Sequence, residues 1–459
     1  MILLTVIADD FTGALDTGVQ LAAAGYKTRV LSSAAAFLSA AAPESKDGSE
    51  DAALSGAEVL VINTDSRHLA PEAAYDAVFH AASRAFLAGV PMIYKKTDSA
   101  LRGNAGAELA ALLQASGEKQ LSFVPAFPKM KRITKEGIHY IDGVPVADSV
   151  FGQDPFDPVR SSSVREILAS GTALPVRNVR PGADAEPAEV PEILVYDAAS
   201  EEDLLMIADR LKESGKTRVL AGCAGFAAYL PALIRKEKTP GPADTEALSS
   251  VFTKDGTAPL RLLVVSGSIN PITLAQLCAG ETAGFYRIRL RAEEKLDSGW
   301  MRTKAGGKRL QELLTAAAAH EKCILDAGDG TETLLTAETQ AKYGLTEETL
   351  RTRITASIGA LVTALLPASC PDALMITGGD TLLACMDALG IHVLEPVREL
   401  FPGVVLSHIR YQGRSYALIT KSGGFGSEGL LEALYQKLSG QSCCPPPVSR
   451  ERRKGWILK

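Results

Sequence analysis

Short apolar runs alternate with amphipathic stretches along this chain. Residues 3–8 (LLTVIA) read as an apolar strand, followed by a polar, glycine-bearing turn and a small-residue helical stretch over 14–24. The strand signal returns at 58–63, 92–95 and 121–124, with helical periodicity over 71–88 and 105–115 between them. It returns again at 193–196 and 218–221, on either side of a helical stretch at 201–213. Strands this short and this apolar, separated by helices, need cover on both faces, which predicts a parallel, doubly wound sheet. Segments 139–159 and 171–191, rich in Asp, Gly and Pro, read as excursions from that sheet.

A polar, Pro/Gly-bearing stretch over 236–259 reads as a linker. Beyond it the alternation restarts. Strands are predicted at 262–265, 284–290, 323–326, 374–377 and 417–420, and helices at 273–278, 308–320 and 348–366, with a last helix near the end. The expected fold class is α/β, with two domains, 1–235 and 260–440, each a largely parallel sheet flanked by helices. Residues 441–459, which carry Cys443, Cys444 and a basic run, read as a flexible tail.

Composition narrows the function classes. With 48 Lys+Arg against 54 Asp+Glu the net charge is −6, so there is no global basic field for nucleic acid. At 46% hydrophobic and 22% charged the chain reads as soluble and globular. No apolar run reaches the ~20 residues of a membrane span. The first residues read as a buried strand rather than a signal peptide, so a cytoplasmic protein is expected. The 7 cysteines show no metal-ligand spacing, and Cys223, Cys278, Cys323 and Cys385 read as small core hydrophobes. The 6 histidines show no ligand spacing either. A homodimer is expected only from the frequency of twofold assemblies.

The chemistry gathers in the turns after strands, where open parallel sheets bind ligands. Asp9, Asp10, Thr12 and Gly13 follow the first strand. Their carboxylates and hydroxyl suit a polyhydroxylated substrate, a magnesium ion or a proton; equally, Asp10 or Thr12 could simply cap the next helix. Lys95 to Asn104 form a second polar turn. There Lys96 and Arg102 are cations for a carboxylate or phosphate, Asp98 is a candidate base, and the Gly103 and Asn104 amides open a helix. The bland alternative is a charged loop with an internal ion pair. The second domain offers Ser266-Gly267-Ser268, Gly378-Gly379-Asp380-Thr381 and Gly423-Gly424-Phe425-Gly426. Glycine turns at helix starts let backbone amides approach phosphate, and three at one sheet edge would make a nucleotide pocket. Ser214-Gly215-Lys216-Thr217 lacks the upstream glycine of a phosphate loop and runs from helix into strand.

These motifs together resemble the four-carbon acid sugar kinase family. ADDFTGALDTGVQLA, KKTDSALRGN, FVPAFP and HYIDGVPVADS carry the likeness in the first half, and VSGSINPIT, ITGGDTLLA and KSGGFGSEG in the second. The resemblance implies an ATP-dependent kinase, with Mg2+, that phosphorylates the terminal hydroxyl of threonate, erythronate or 3-oxo-tetronate. It also implies an acid-binding first domain, an ATP-binding second domain, and the reaction in the cleft between them. By motif, Asp9, Asp10, Thr12, Gly13, Lys96, Asp98, Arg102, Gly103 and Asn104 fall on the acid side. Ser266, Gly267, Ser268, Gly378 to Thr381 and Gly423 to Gly426 fall on the nucleotide side. Asp380 stands where the family frequently has Glu, and Gly424 where it frequently has Asn. The expected roles put Arg102 and the neighbouring amides on the substrate carboxylate, and Asp10 or Asp98 on the reacting hydroxyl. The metal ligands are left unassigned. The rivals are a kinase of another small sugar acid or polyol, and a non-catalytic sensor of such ligands.

Overall fold

Strands that are buried at every position require helices on both faces, and in the computed structural model of this protein they have them. The structure describes residues 1–39, 54–154, 157–234, 259–297, 299–328, 341, 344–421 and 424–440. The expected linker, apart from Pro259, and the expected tail lie outside the described residues. The first lobe contains β1 (Leu4–Ala8), β2 (Thr28–Leu31), β3 (Val59–Asn63), β4 (Met92–Lys96), β5 (Gln120–Val124), β6 (Arg132–Lys135), β7 (Ile138–Ile141), β8 (Val144–Pro145), β9 (Val176–Val179), β10 (Glu192–Tyr196) and β11 (Val219–Gly222). Eight of these form a parallel array in the order β2-β3-β1-β4-β11-β5-β10-β9. On β1, Leu4, Val6 and Ala8 enter one core and Ile7 the other.

Strands β6 to β8 form a separate antiparallel sheet, the excursion expected at 139–159, although it begins at Arg132. The second expected excursion, 171–191, instead contains β9, the outer strand of the main sheet. Its sequence, VRNV, places two polar residues in four and gives no apolar run to read.

The second lobe contains β12 (Leu262–Ser266), β13 (Tyr286–Arg289), β14 (Lys322–Asp326), β15 (Ala373–Thr377), β16 (Val393–Phe401), β17 (Val404–Tyr411) and β18 (Arg414–Lys421). β13-β14-β12-β15-β18 are parallel, and β17 and β16 then continue antiparallel. The sequence did not point to β16 and β17. Pro396 interrupts the first, and its alternating burial gives it no continuous apolar run.

These two strands join the parallel sheets of the two lobes. β16 pairs antiparallel with β2 (Val393↔Leu31, Leu394↔Val30), so both lobes share one 15-stranded sheet. The Ser32 amide donates to the His392 carbonyl at 3.0 Å, extending the seam. Helix Phe11–Ala23 lies across it. A Cβ at Gly18 would stand 2.8 Å from Val30 Cγ2 and 3.5 Å from Pro396 Cγ, so the residue must be small.

Through this ladder β1 and β15 run in opposite senses, which would send their following turns to opposite edges of a flat sheet. Six strand-to-strand steps separate them. At about 20–25° of twist per step the accumulated rotation is about 120–150°, which swings the two edges back toward each other. A Cβ at Gly379, after β15, would stand 3.7 Å from Thr12 Cγ2, after β1. The lobes face each other across the twist.

Helix Glu347–Ser369 is long and apolar enough, by length and composition, to cross a bilayer. Here Leu350, Ile354, Ile358, Leu361, Val362, Leu365 and Leu366 are buried in the core. Cys223, Cys323 and Cys385 are buried as expected, whereas Cys278 is exposed on helix Pro271–Thr282.

Candidate active site

Parallel register aligns the strand ends of the first lobe: Ala8 lies opposite Asn63 on one side and Lys96 on the other. The turns that follow therefore share one edge. Asp10 caps helix Phe11–Ala23, its Oδ1 accepting from the Gly13 amide at 3.1 Å and its Oδ2 from Thr12 Oγ1 at 2.8 Å. It also belongs to a charge cluster with Arg67 and Lys96, so the cap reading holds and leaves a place in the site open to it. Lys96 Nζ lies 3.3 Å from Asp9 Oδ1 and 3.5 Å from Asp10 Oδ1. Gly13 leaves room for that ammonium: a Cβ there would meet Nζ at 2.1 Å.

The centre of the cluster is a residue the sequence reading missed, Arg67. Its Nε and Nη2 each bond Asp9 Oδ2 at 2.9 Å, and Nη2 also reaches Asp10 Oδ1 at 2.9 Å and Asp98 Oδ1 at 3.7 Å. The Asn104 amide group fixes the loop that presents it, donating to the carbonyls of Ser66, Arg67 and Leu69. Gly103, at φ 82°, lies against Arg67. The usable signal was position: Arg67 follows β3, beside β1.

Arg102 differs from its expected role. Its Nε and Nη2 bind the two oxygens of Asp98, each at 3.0 Å, and its Nη1 binds Asp154 Oδ2 at 3.1 Å. The guanidinium is committed to protein carboxylates, as the internal-ion-pair alternative had it. Asp98 also accepts from the Ala100 and Arg102 amides. Burial would push Asp98 up, but Arg102 and Arg67 hold it well below the usual carboxylate range. Burial likewise opposes the Asp9 charge, and Arg67 and Lys96 overcome it, leaving Asp9 below its ordinary value. Burial works against the Lys96 ammonium too, and Asp9 and Asp10 hold it above its ordinary value.

In the second lobe register aligns Asp326, Ser266, Thr377 and Lys421 across β14-β12-β15-β18. Two of the glycine turns, Ser266–Ser268 and Gly378–Thr381, meet at the end of this row. A Cβ at Gly267 would stand 2.1 Å from Thr381 Oγ1, and Gly378 has φ 102°, with the Ser268 amide 3.8 Å from its would-be Cβ. Gln276 Nε2 donates to the carbonyls of Phe425 and Ser427, both at 3.0 Å. Lys421 Nζ donates to Thr273 Oγ1 and the Phe425 carbonyl, both at 3.2 Å. Burial pushes the Lys421 ammonium down to about 8. Gly426 lies against Gln276, a Cβ at Gly424 would meet nothing within 4 Å, and Gly423 lies outside the described residues. Lys421 and Gln276 were not singled out by sequence.

Between the lobes lies a cleft of about 1160 Å³, with Asp65, Arg67 and Asn104 on one wall and Arg351, Asp380 and Leu383 on the other. Arg351 Nη2 bonds Asp380 Oδ2 at 2.6 Å. The Asp65 carboxyl is raised, first by loss of solvent in the cleft, then by Asp380 across it. Among the described residues no three His, Cys, Asp or Glu side chains form a ready metal cage. Magnesium usually binds through phosphates plus one or two carboxylates, and Asp10, Asp65 and Asp380 fit that donor set.

A sugar-binding N-terminal domain model matches residues 4–230, and a nucleotide-binding C-terminal domain model matches residues 263–431. A D-threonate kinase from Salmonella typhimurium is 33% identical over 454 residues, covering 94% of this chain and 97% of its own. A D-erythronate kinase from Heliobacterium modesticaldum is 31% identical over 92% of this chain and 94% of its own. A 3-oxo-tetronate kinase from Pseudomonas fluorescens is 26% identical over 96% and 98%. Among solved structures, a Salmonella typhimurium LT2 protein superposes with a TM-score of 0.70 at 20% identity, covering 95% of this chain and 100% of its own. Haemophilus influenzae protein HI1011 does so with 0.63 at 19%, covering 94% and 99%. These two share the fold.

Proposed function

The chain belongs to the four-carbon acid sugar kinase family and is a kinase, and on that premise we propose that it transfers the γ-phosphoryl group of ATP to the terminal hydroxyl of a four-carbon sugar acid, threonate or erythronate before 3-oxo-tetronate. The reading rests most on one observation, the approach of Thr12 to Gly379, which brings the aspartate turn of one lobe against the glycine turn of the other. Phosphoryl transfer asks mainly for positioning and charge neutralisation. The amides around Ser266–Ser268 and Gly378–Thr381, together with Lys421, cradle the phosphates.

On the acid side, Arg67 takes the role first expected of Arg102. Its Nη1 has no hydrogen-bond partner among the described residues, and its side chain lines the cleft. A charge-assisted bond from this guanidinium suits the substrate carboxylate. Arg102 and Asp98 position the loop. Asp10, whose side chain is 21% exposed, orients the acceptor hydroxyl and takes its proton. Magnesium, held by Asp10, Asp65 or Asp380 with the ATP phosphates, would supply charge neutralisation. The enzyme works in the cytoplasm, and a homodimer is the simplest assembly for it.

Incubating the purified protein with ATP and a panel of four-carbon acids, other sugar acids and polyols, with ADP release as readout, tests the reading. The expected outcome is turnover confined to four-carbon acids, with a 4-phosphate product. Equal turnover of polyols, or none of any acid, would refute it.

A further inference from the structure

Asp154 and Asp157 border the charged cluster of the first lobe. Arg102 gives Nη1 to Asp154 Oδ2 at 3.1 Å, and Asp154 Oδ1 accepts the Asp157 amide at 3.1 Å. The sequence Asp98–Arg102–Asp154 thus fixes Asp157 in the cleft wall, where it lies with His68, Gly103 and Asn104. Asp154 is fully engaged, but Asp157 is not. Its carboxylate accepts no hydrogen bond from any described residue, and Oδ2 is closed to solvent without a donor. A solvent-excluded acceptor left unmade costs free energy, so such an atom in a cleft wall calls for a donor that arrives with the ligand.

The chemistry of that donor can be narrowed. The substrate's own carboxylate would be repelled here, whereas a hydroxyl can donate to a carboxylate. A ketone oxygen carries no proton and would leave the acceptor unmade. We propose that Asp157 is a specificity residue that accepts a hydrogen bond from the C3 hydroxyl of the acid, so that the enzyme takes trihydroxy acids and rejects the 3-oxo acid, which lacks that hydroxyl. This rests on the kinase reading above. Sites built to bond a substrate hydroxyl discriminate strongly against analogues lacking it, because the protein group is then left unpaired.

The test compares kcat/KM of the wild type, Asp157→Asn and Asp157→Ala on threonate, erythronate, 3-oxo-tetronate and the 2-deoxy and 3-deoxy acids. KM for ATP and Tm are measured alongside. The wild type is expected to favour a trihydroxy acid over the 3-oxo acid by at least a hundredfold. Asp157→Asn, whose amide can donate as well as accept, is expected to shrink that ratio at least tenfold with KM for ATP unchanged. Asp157→Ala is expected to lose at least tenfold on the trihydroxy acid and less than threefold on the deoxy acid lacking the contacted hydroxyl. A wild type that prefers the 3-oxo acid, a ratio within twofold of wild type in both variants, or an equal loss on every acid would overturn the assignment. If the wild type turned over no acid at all, the kinase reading itself would fail.

Discussion

Replacing Arg67 by alanine removes one of three cations, Arg67, Lys96 and Arg102, that balance Asp9, Asp10 and Asp98. The Arg67 side chain is 12% exposed and that of Asp9 3%, so water does not replace what is lost. Breaking a buried ion pair by removing one partner costs about 3–5 kcal/mol. Lys96 keeps its contacts to Asp9 and Asp10, and Arg102 keeps Asp98, which places the expectation at the lower end, about 3 kcal/mol. In a lobe of this size that lowers Tm by about 6–12 °C. The pH dependence is the sharper check. In the wild type, Asp9 and Asp98 lie below the ordinary carboxylate range, so their contribution is present above about pH 4 and is lost as pH falls through their lower folded values. Without Arg67, burial raises Asp9 instead. The variant then gains stability as that carboxylate takes up its proton, and the gap between the two proteins narrows from pH 7 to pH 5. Loss of a charge-assisted bond to the substrate carboxylate adds a fall in kcat/KM of about 10–150-fold. Thermal unfolding at both pH values and steady-state kinetics at pH 7 measure all three. A Tm within 2 °C of wild type at pH 7, or a gap that widens on acidification, would refute the electrostatic account.

Other outcomes follow from single contacts. Asp10→Asn keeps an N-cap acceptor for the Gly13 amide; it is expected to lower kcat by about 10²–10⁴-fold with the helix cap intact, as kinetics and circular dichroism would show. Gly378→Ala forces a side chain onto φ 102°, costing about 1–3 kcal/mol and raising KM for ATP, measurable by chemical denaturation and ADP release. Lys421, depressed to about 8, loses its charge as pH rises through that value. KM for ATP is therefore expected to climb above pH 8, and Lys421→Met to abolish the climb. A Cβ at Gly424 would meet nothing within 4 Å, so Gly424→Asn is expected to leave Tm within about 1 °C of wild type in a differential scan.

Much of the fold was legible because buried parallel strands leave an unmistakable trace. Runs such as LTVIA and VLVIN are buried at every position and apolar at all but one, and polar turns punctuate them where ligands gather. The same logic placed Asp9, Asp10, Lys96 and Asp98 at one edge and the glycine turns at another. Some strands with polar positions left no such trace. β2 and β9 lie at the margins of the first lobe's array, and β16 is a half-exposed ribbon interrupted by proline. Arg67 was missed because a lone arginine in an ordinary turn carries no local signature. Its meaning comes from three carboxylates supplied by two other turns.

By itself, then, the sequence determined which segments are buried strands, which turns carry charge or glycine, and, by resemblance, which chemistry they serve. Periodicity and turn composition are local properties that neighbouring residues are enough to specify. Only the tertiary structure decided that two sheets are one, joined at β2 and β16, and that twist brings the Asp10 turn against Gly379. It also decided that Arg102 is held by Asp98 and Asp154 while Arg67 lines the cleft. Which cation meets which carboxylate depends on distances between residues far apart in the chain. The folded backbone sets those distances, and no local pattern encodes them.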